Sequence, residues 1–593
     1  MKPSARNSLQ LLLPPYPGLQ FHFERLLLRG LRYRLLFASL IIVTVALVGG
    51  LLVLAFVSNA QDFGESVWWA FLRLTDPGYL GDDEGFVGRT LSTIITVLGY
   101  VLFLGLLIAI LTQWMNQVIS RMESGLTPVI LSDHILILGW THRTPYIVKE
   151  LLLTKGRAHR FLASRGARDL RVVVLADLSG ENDILPQLQN ALGELWSDWS
   201  VILRHGSALK MEDLERVSYD KAAVVILPGA DFGADSPGAA DAEALKTLHA
   251  IYRHAQETGM STPLMVVGLY VSGRQVIAQK AYGADTEIVI PEELLSQIVA
   301  QSVLQPGVWD VYAELFNMNV GNAVYIRQND QPGGKEFGEL QRMFDRAALI
   351  GQIPANGGPP LLSPGHQHRV PAEDKLVFIA RSLADCEARH SKVKVTNGDW
   401  PPYADKTAGE SPGEKRILVL GWSRKAPGLL DALIRQSSGK AALHNVGLSP
   451  IQKREADLRN WAESINTDSV RFTEANFLMP HVLESLEPWE YDNIIILARE
   501  RLGDEAFADA ATVTACLTLE YFLEDHKQKP WVTIELVEEE NAYLLEGRGY
   551  DIVLSPVIIS YMLSQVALER ELNSVFTELA GNQEVRVLDL LPR

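Results

Sequence analysis

The run Thr75-Asp76-Pro77-Gly78-Tyr79 combines residue types that could handle metal cations. The Asp76 carboxylate attracts cations, and Thr75 could line the inner end of a cation site. Potassium-selective pores use a ladder of backbone carbonyl oxygens that replaces the water around the ion. Because Pro77 fixes φ and has no N–H, such a ladder is not expected here. The run therefore indicates a cation site built around a carboxylate, with potassium, sodium and calcium all as candidate ions.

Charged residues flank this run on both sides. Asp82, Asp83 and Glu84 follow it and either form an outer vestibule that concentrates cations or belong to a solvated loop. Arg73 precedes it near the end of a short helix, where the helix dipole favours a positive charge. Arg73 could pair with Asp76, Asp82 or Glu84 of its own or a neighbouring chain. If Arg73 faced a pore instead, it would oppose the passage of cations.

Two long uncharged segments enclose these residues. Residues 35–57 and 91–111 are apolar, and the 23 residues of the first exceed the ~20 that cross a bilayer. Six Lys/Arg and one Glu precede the first segment, whereas residues 58–90 hold two Arg and six Asp/Glu. The positive-inside rule therefore places both termini in the cytoplasm, with residues 1–34 as a cytoplasmic segment.

Residues 63–80 lie between these two predicted spans. Their apolar and aromatic part makes only about three helical turns, so it is too short to cross a bilayer and is typical of a re-entrant helix. A span, a half-helix, a turn and a second span form the plan of a tetrameric cation-channel pore, here residues 35–120. Four copies of Asp76 would then form a carboxylate ring, which favours divalent cations when crowded. The alternative is two anchor helices joined by an ordinary loop.

The second predicted span contains residues that could serve a gate. Gly99 or Gly105 could act as a hinge or as a small-residue contact between helices, and Gly99 is favoured as the hinge. Gln113 and Asn116 follow at the cytoplasmic end and could line the inner mouth.

Residues 121–593 alternate apolar strands with amphipathic helices, which indicates doubly wound parallel sheets. The pattern occurs twice, because "EKRILVLGWSRKAPGLLDALI" (414–434) restates "HILILGWTHRTPYIVKELL" (134–152). We therefore predict a first regulatory domain, residues 121–390, with a Rossmann unit (132–305) and a small α+β lobe (310–390). A linker (391–413) and a second domain (414–593) follow.

Each Rossmann unit has one glycine after its first strand, Gly139 or Gly421, and a tryptophan, Trp140 in the first unit, comes next. Three glycines are needed for a dinucleotide fingerprint, so the usual pyrophosphate cradle is not expected. Arg143 and Arg424 could bind a phosphate or lie in water. Asp177, at the end of the second strand, could bind a ribose, although it lies 38 residues after Gly139 rather than roughly 20.

Composition restricts the functional classes. The net charge of −17 argues against a nucleic-acid partner, which needs a basic face. Cys386 and Cys516 form neither a disulfide framework nor a metal-ligand pattern, and they are expected to be buried thiols. Acid-rich stretches at 229–243 and 537–541 could bind Ca²⁺, but they lack the EF-hand pattern and solvated faces are favoured. No catalytic set accompanies the Rossmann pattern, so an enzyme is not expected.

Several motifs resemble the plant Castor/Pollux ion-channel family and its bacterial relatives. They are "SDHILILGW" (132–140), "RHGSALKMEDLERVSYDKAAVVILPG" (204–229), "LQPGVWDVYAELF" (304–316) and "YMLSQVALERELNSVFTEL" (561–579). The pore followed by tandem Rossmann units also resembles RCK (TrkA-like) channel regulation. The resemblance implies a homotetramer, a ring of eight RCK units, opening controlled by a small ligand, and location in a plasma membrane, the inner membrane in bacteria. The family also has an aspartate where potassium channels have valine.

The sequence therefore predicts an α-helical transmembrane pore followed by two α/β Rossmann-like RCK domains, acting as a ligand-gated cation channel. Its regulatory ligand would be a nucleotide or Ca²⁺. A membrane-anchored nucleotide-binding subunit of a potassium transporter is the first alternative. An NAD-dependent membrane oxidoreductase is the second, and the missing glycines count against it.

Overall fold

A computed structural model describes most of the chain in two compact units, residues 1–126 and 127–593. The described residues are 31–57, 62–76, 85–123, 125–178, 184–229, 237–305, 307–317, 321–329, 334–388, 415–437, 440–461, 469–498 and 505–581. Residues 1–30 of the predicted cytoplasmic segment 1–34 lie outside them, as does the linker 391–413.

The first unit is helical. Its elements are α1 (Leu31–Phe56), α2 (Phe63–Thr75), α3 (Phe86–Gly99), a π-helical turn (Tyr100–Leu104) and α4 (Gly105–Glu123). In the described part of the chain, one helix is by itself long and apolar enough to cross a membrane, with its candidate span at Ala38–Phe56 of α1. The second predicted span, 91–111, lies in a helical run that the π turn divides, and neither part meets that criterion alone.

The second unit begins with a Rossmann domain. Its parallel sheet has the order β3-β2-β1-β4-β5-β6, so the strand order reverses direction between β1 and β4. The strands are β1 (Ile135–Leu138), β2 (Val172–Ala176), β3 (Val201–His205), β4 (Val224–Leu227), β5 (Leu264–Gly268) and β6 (Thr286–Val289). The helices are α5 (Thr144–Leu153), α6 (Lys155–Ala163), α7 (Ile184–Leu192), α8 (Met211–Arg216), α9 (Pro237–Thr258), α10 (Gln275–Tyr282), α11 (Pro291–Leu304) and α12 (Val308–Phe316).

A small lobe follows, built from an antiparallel sheet of order β10-β9-β12-β7 and a two-stranded sheet, β11-β8. Its elements are β7 (Ala323–Gln328), β8 (Lys335–Glu336), α13 (Phe337–Gln341), β9 (Ala348–Ile353), β10 (Leu361–Leu362), β11 (Arg369–Val370) and β12 (Lys375–Ala380). Aromatic side chains fill its core together with Cys386, which is a buried free thiol, as predicted.

The second Rossmann domain repeats the first, with the strand order β15-β14-β13-β16-β17-β18. Its strands are β13 (Lys415–Leu420), β14 (Ala441–Gly447), β15 (Val470–Glu474), β16 (Asn493–Ile496), β17 (Trp531–Leu536) and β18 (Asp551–Leu554). Its helices are α14 (Ala426–Gln436), α15 (Ile451–Trp461), α16 (Pro480–Ser485), α17 (Glu505–Leu523), α18 (Ser555–Leu568) and α19 (Leu572–Gly581). Cys516 is buried and free here as well.

Even side-chain detail is duplicated. The Asp241 carboxylate accepts hydrogen bonds from the backbone N–H groups of Tyr270 (2.9 Å) and Val271 (3.0 Å). Asp509 accepts from Val537 and Glu538 in the same way, at 2.9 Å each. The predicted internal repeat is therefore a structural repeat, extending to the loop that follows the fifth strand.

The two Rossmann domains exchange helices. Helix α11 of the first domain packs on α14 of the second, and α18 of the second packs on α5 of the first. Helix α19 also docks on the first domain, where the Leu579 carbonyl accepts a hydrogen bond from the Tyr312 hydroxyl (2.9 Å). Because each core includes helices of the other repeat, residues 127–593 fold as one unit.

Candidate functional site

Helix α2 lies against α1 and α3 within the first unit. Ala70 and Leu74 of α2 and Ile95 of α3 form a small buried core. A Cβ atom on Gly50 of α1 would lie 2.7 Å from the Cα atom of Val67, so only glycine permits this approach of α1 and α2. A 13-residue helix is about 20 Å long and does not cross a ~30 Å hydrocarbon layer, which fits the predicted re-entrant segment.

Gly99 lies at the end of α3, against the carboxyl end of α2. A Cβ atom at this position would lie 2.1 Å from the Leu74 carbonyl oxygen. The π turn follows directly at Tyr100–Leu104, and π turns occur often at functional sites. Gly99 is thus a close-packing point next to Thr75, one of the two roles that the sequence left open for it.

Two residues of the predicted filter, Thr75 and Asp76, lie among the described residues. The Thr75 hydroxyl donates back to the Phe71 carbonyl at 2.9 Å, and Asp76 ends the helix in an extended conformation with an exposed side chain. Pro77, Gly78 and Tyr79 lie outside the described residues, as do Asp82, Asp83 and Glu84.

Arg73 is buried within its own protomer. Its Nε donates to the Ser92 hydroxyl of α3 at 3.0 Å, and its guanidinium carbon lies 3.9 Å from the centroid of the Trp69 ring. The side chain therefore ties α2 to α3 and to its own helix. The Arg73 guanidinium is therefore directed into the contact between α2 and α3.

The remaining predicted gate residues lie on α4. Gly105 is exposed, and a Cβ atom there would meet nothing closer than the Tyr100 carbonyl oxygen at 3.9 Å. Gln113 and Asn116 are also exposed on this helix.

The first Rossmann domain has an open crevice at the carboxyl ends of β1 to β4, with a volume of about 670 Å³. Parallel sheets of this type bind ligands at this edge, where the strand order reverses. Gly139, Trp140 and Asp177 line the crevice, so three residues predicted from the sequence come together there. The 38-residue separation of Gly139 and Asp177 arises because an extra helix, α6, lies between them.

The Asp177 side chain lines the crevice, and 73% of it is exposed. His205 lies beside it, with its Nδ1 3.6 Å from the Asp177 Oδ1. That nitrogen accepts a hydrogen bond from the Leu178 N–H at 3.0 Å, so it does not donate to Asp177. Lys210 lies on the same rim and supplies a positive charge.

A chain of hydrogen bonds connects the crevice with the segment that enters the first sheet. Asp213, which lines the crevice, accepts from the Ser207 N–H (2.9 Å) and pairs with Arg216 (2.9 Å). Arg216 donates to the His205 carbonyl at 2.9 Å, and its own carbonyl accepts from the Val129 N–H at 2.7 Å. The Asp213 and Arg216 side chains therefore connect the crevice loop with residue 129.

The second Rossmann domain differs at the same place. Strand pairing aligns Leu138 with Leu175 and Leu420 with Val446, so the position of Asp177 is taken by Leu448. Arg454 lies across the carboxyl ends of β14 and β15 with 0% of its surface exposed. Its guanidinium donates to the Asn445 Oδ1 (2.6 Å) and to the Thr473 carbonyl (3.0 Å). In the second domain, the Arg454 side chain therefore fills the strand-end region that is an open crevice in the first domain.

The basic residues after each Gly-Trp pair contact groups of the protein itself. Arg143 is buried and donates to the Pro228 carbonyl (3.2 Å), with Glu292 at 3.5 Å. Lys425 is its counterpart and pairs with Glu535. Arg424 lies 5.9 Å from the centroid of the Tyr270 ring in the other repeat. Gly421 has a positive φ of 102°, and a Cβ atom there would lie 3.0 Å from the Leu497 carbonyl oxygen. A larger residue at this position would therefore strain the backbone.

Sequence reasoning missed several of these residues. Gly49 and Gly50 could have been noticed as adjacent small residues inside the first span, the usual sign of close helix packing. Three other residues lie at or after the end of a predicted strand of a doubly wound sheet, where such sheets bind ligands. That position could have indicated His205, Lys210 and Asp213. Arg454 carries no such signal, because an arginine on a helix normally predicts a solvated face.

The second unit, residues 127–593, has the fold of a channel gating ring. It is similar to the structure of the human SLO3 gating ring, with a TM-score of 0.52 at 16% identity over 76% of this chain and 84% of that one. The whole chain is also similar to the structure "GsuK channel bound to NAD", with a TM-score of 0.44 at 15% identity over 91% of this chain and 84% of that one. The predicted tandem RCK-type domains are thus confirmed as a fold class.

Within that class, the resemblance to Castor/Pollux channels is confirmed. Residues 292–396, which include α11, α12 and the small lobe, match the family described as "Castor and Pollux, part of voltage-gated ion channel". The chain is 24% identical to "Ion channel CASTOR" of Lotus japonicus over 94% of this chain and 66% of that protein. It is 25% identical to "Probable ion channel POLLUX" of Arabidopsis thaliana over 92% of this chain and 67% of that protein.

The chain spans between 57% and 67% of the length of the curated relatives that it matches. These relatives are named as ion channels rather than as enzymes, in agreement with the expectation from the sequence.

Proposed function

We propose that the protein is a homotetrameric cation channel whose pore is opened or closed by a small ligand bound to its RCK domains. The observation that carries this proposal is the seating of α2 between α1 and α3. An ordinary loop between two anchor helices needs no buried half-helix, and Gly50 and Gly99 permit its close contact with both neighbours. Both termini would face the cytoplasm.

The carboxylate of Asp76 would be the main cation-attracting group of the pore. Its position at the carboxyl end of α2 suits this role, because the negative end of a helix dipole favours a cation there. Four copies around a symmetry axis would form a ring of charge. Potassium, sodium and calcium all remain compatible with such a ring.

Replacement of Asp76 by asparagine removes this charge while preserving the size of the side chain. We expect a several-fold lower unitary cation conductance, or a loss of preference for divalent ions, in planar bilayers with potassium, sodium and calcium gradients. Asp62→Asn is the matched control, since Asp62 is also exposed but precedes α2 at its other end. Unchanged permeation in Asp76→Asn would remove Asp76 from the filter.

The regulatory ligand would bind in the crevice of the first Rossmann domain. A nucleotide fits this crevice better than Ca²⁺, because Asp177 can accept hydrogen bonds from ribose hydroxyls and Lys210 can face a phosphate. Among the described residues, no group of three or more His, Cys, Asp or Glu side chains could hold a metal ion. The second crevice would not bind a nucleotide, because Arg454 occupies it.

Ligand binding would act on the pore through the Asp213–Arg216 connection. A ligand that contacts residues 205–210 would alter this loop. The Ser207 N–H group of the loop is bonded to Asp213, and its His205 carbonyl is bonded to Arg216. Arg216 is bonded in turn to the segment that leads back to α4. The ligand shifts the open–closed equilibrium only by its difference in affinity for the two states.

Asp177→Asn should weaken the binding of ADP or NAD to the purified chain by about tenfold or more, since a hydrogen bond to a charged group contributes about 1.5–3 kcal/mol. Isothermal titration calorimetry measures this loss, and Glu194→Gln, which changes an exposed acid outside the crevice, should bind normally. Equal affinities of Asp177→Asn and the unaltered chain would show that the crevice acid does not contact the nucleotide.

A further inference from the structure

A second cavity lies at the opposite edge of the first Rossmann sheet. This groove, which we call the α6 groove, has a volume of about 480 Å³ and lies at the amino ends of β2 and β3. Its lining includes His159, Arg168, Arg171 and Trp199. Because the crevice described above lies at the carboxyl ends of the strands, the α6 groove is a separate site.

The α6 groove belongs to a strongly basic segment in an acidic protein. Residues 155–171 hold six Lys/Arg and one Asp, whereas the whole chain has a net charge of −17. Structural contacts account for part of this charge: Arg157 is buried among protein groups, Arg160 lies 5.8 Å from the Tyr325 ring, and Arg165 lies 5.2 Å from the Phe161 ring. Arg168 and Arg171 line the groove.

Protein acceptors satisfy little of the charge that lines the groove. Arg168 and His159 make no hydrogen bond or ion pair with the described residues of the chain. The Arg171 guanidinium lies 3.7 Å from Asp169, but 77% of the Asp169 side chain is exposed, so this pair contributes little. Concave sites with weakly paired guanidinium groups are suited to phosphate, which accepts several charge-assisted hydrogen bonds.

Trp199 adds a second kind of contact. It is 76% exposed, and the Arg171 guanidinium carbon lies 5.8 Å from the centroid of its ring. Exposure of a large apolar indole ring to water is unfavourable, and the exposed face of the ring can stack on a planar or apolar group. Leu152, Ala158 and Leu162 supply the apolar floor of the groove.

We propose that the α6 groove binds a phosphate-bearing ligand, with the phosphate between Arg168 and Arg171 and the attached group against Trp199. The phosphate could belong to a free metabolite or to a lipid headgroup, since the recognition chemistry is the same. The proposal does not depend on the crevice or on the pore.

Calorimetry on the full-length detergent-solubilised protein tests this proposal with two probes, inorganic pyrophosphate and a water-soluble dioctanoyl phosphoinositide. We expect the double variant Arg168→Gln/Arg171→Gln to bind the preferred probe at least about tenfold more weakly. Arg165→Gln is the matched control, because Arg165 is exposed on the same segment but does not line the groove. Tighter binding of the phosphoinositide would identify a lipid headgroup as the source, and tighter binding of pyrophosphate a free metabolite.

The single variant Arg168→Gln, at an exposed residue, provides the same test if the double variant is unstable. Trp199→Ala should weaken the phosphoinositide more than pyrophosphate, which has no group to stack. Equal affinity of the double variant and the unaltered chain would overturn the proposal, as would the absence of binding of both probes at millimolar concentration.

Discussion

Replacement of Gly99 by alanine is expected to abolish cation conduction. The added Cβ atom would lie 2.1 Å from the Leu74 carbonyl oxygen and 2.9 Å from the Leu74 Cα atom. These are backbone atoms, so the contact is relieved only by moving the end of α2. That end carries Thr75 and Asp76, and overpacking of this kind costs about 1–3 kcal/mol or more. Cation flux into liposomes containing the purified variant measures the loss.

Gly105→Ala is the matched control for this experiment. It introduces the same methyl group on the same helical run, but the nearest atom is the Tyr100 carbonyl oxygen at 3.9 Å. We expect it to conduct normally and to be slightly more stable, because alanine favours a helix by up to about 1 kcal/mol over glycine. If Gly99 acted solely as a hinge, Gly99→Ala would change the open probability while the unitary conductance stayed normal. That result would contradict a packing role.

Hydropathy predicted the long apolar helix α1 and the short helix α2 in outline, because both depend on local composition. It did not predict the interruption at Tyr100–Leu104. Residues 91–111 are apolar throughout, whereas a π turn is a change in the backbone hydrogen-bond pattern and leaves no mark on hydropathy. The close contact of Gly99 with Leu74 was also hidden, since sequence alone does not give the distance between two helices.

The Rossmann duplication was readable because strands and glycines are repeated at matching positions. Gly139 and Gly421 end equivalent strands, with φ values of 103° and 102° that favour glycine. The sequence did not predict which side chains surround the residues after these glycines. The acid beside Arg143, Glu292, lies 149 residues away in sequence. Only the folded chain shows that Arg143 is buried and bonded to Pro228 and Glu292.

Arg454 illustrates the same limit. Its helix has a polar pattern, so the sequence favours a solvated arginine. In the structure, carbonyl groups of two parallel strands and the Asn445 side chain converge on the guanidinium. The difference between an open first crevice and a filled second one therefore depends on long-range contacts, even though the two repeats have the same topology.

Arg157→Met is expected to cause a large loss of stability in the unit 127–593. Arg157 lies on α6, and only 2% of its side chain is exposed. It pairs with Glu569 (3.4 Å) and donates to Gln565 of α18 (3.4 Å) and to the Val324 carbonyl of β7 (2.5 Å). It thus joins the first Rossmann domain, the second one and the small lobe. Removal of one partner of a buried ion pair costs about 3–5 kcal/mol, because the other charge remains buried.

Thermal and urea unfolding of the purified chain measure this loss. Arg160→Met is the control on the same helix, since Arg160 is partly exposed, lies 5.8 Å from the Tyr325 ring and affects the pKa of Glu569 less than Arg157 does. We expect it to change the free energy of unfolding by less than about 1 kcal/mol. The double variant Arg157→Met/Glu569→Gln should recover part of the loss, because it leaves no unpaired charge. If the single and double variants were equally unstable, lost packing rather than the buried Glu569 charge would be the cause.

The pH dependence of the Arg157→Met variant provides an independent check. Burial raises the pKa of Glu569 above its ordinary value, and Arg157 opposes this rise. Without Arg157, the pKa of Glu569 in the folded state should therefore rise further. An acid with a raised pKa binds its proton more tightly in the folded than in the unfolded state, so stability falls as pH increases between the two pKa values. The variant should be least stable at neutral pH and should regain stability as acid protonates Glu569, whereas Arg157→Met/Glu569→Gln should lack this recovery.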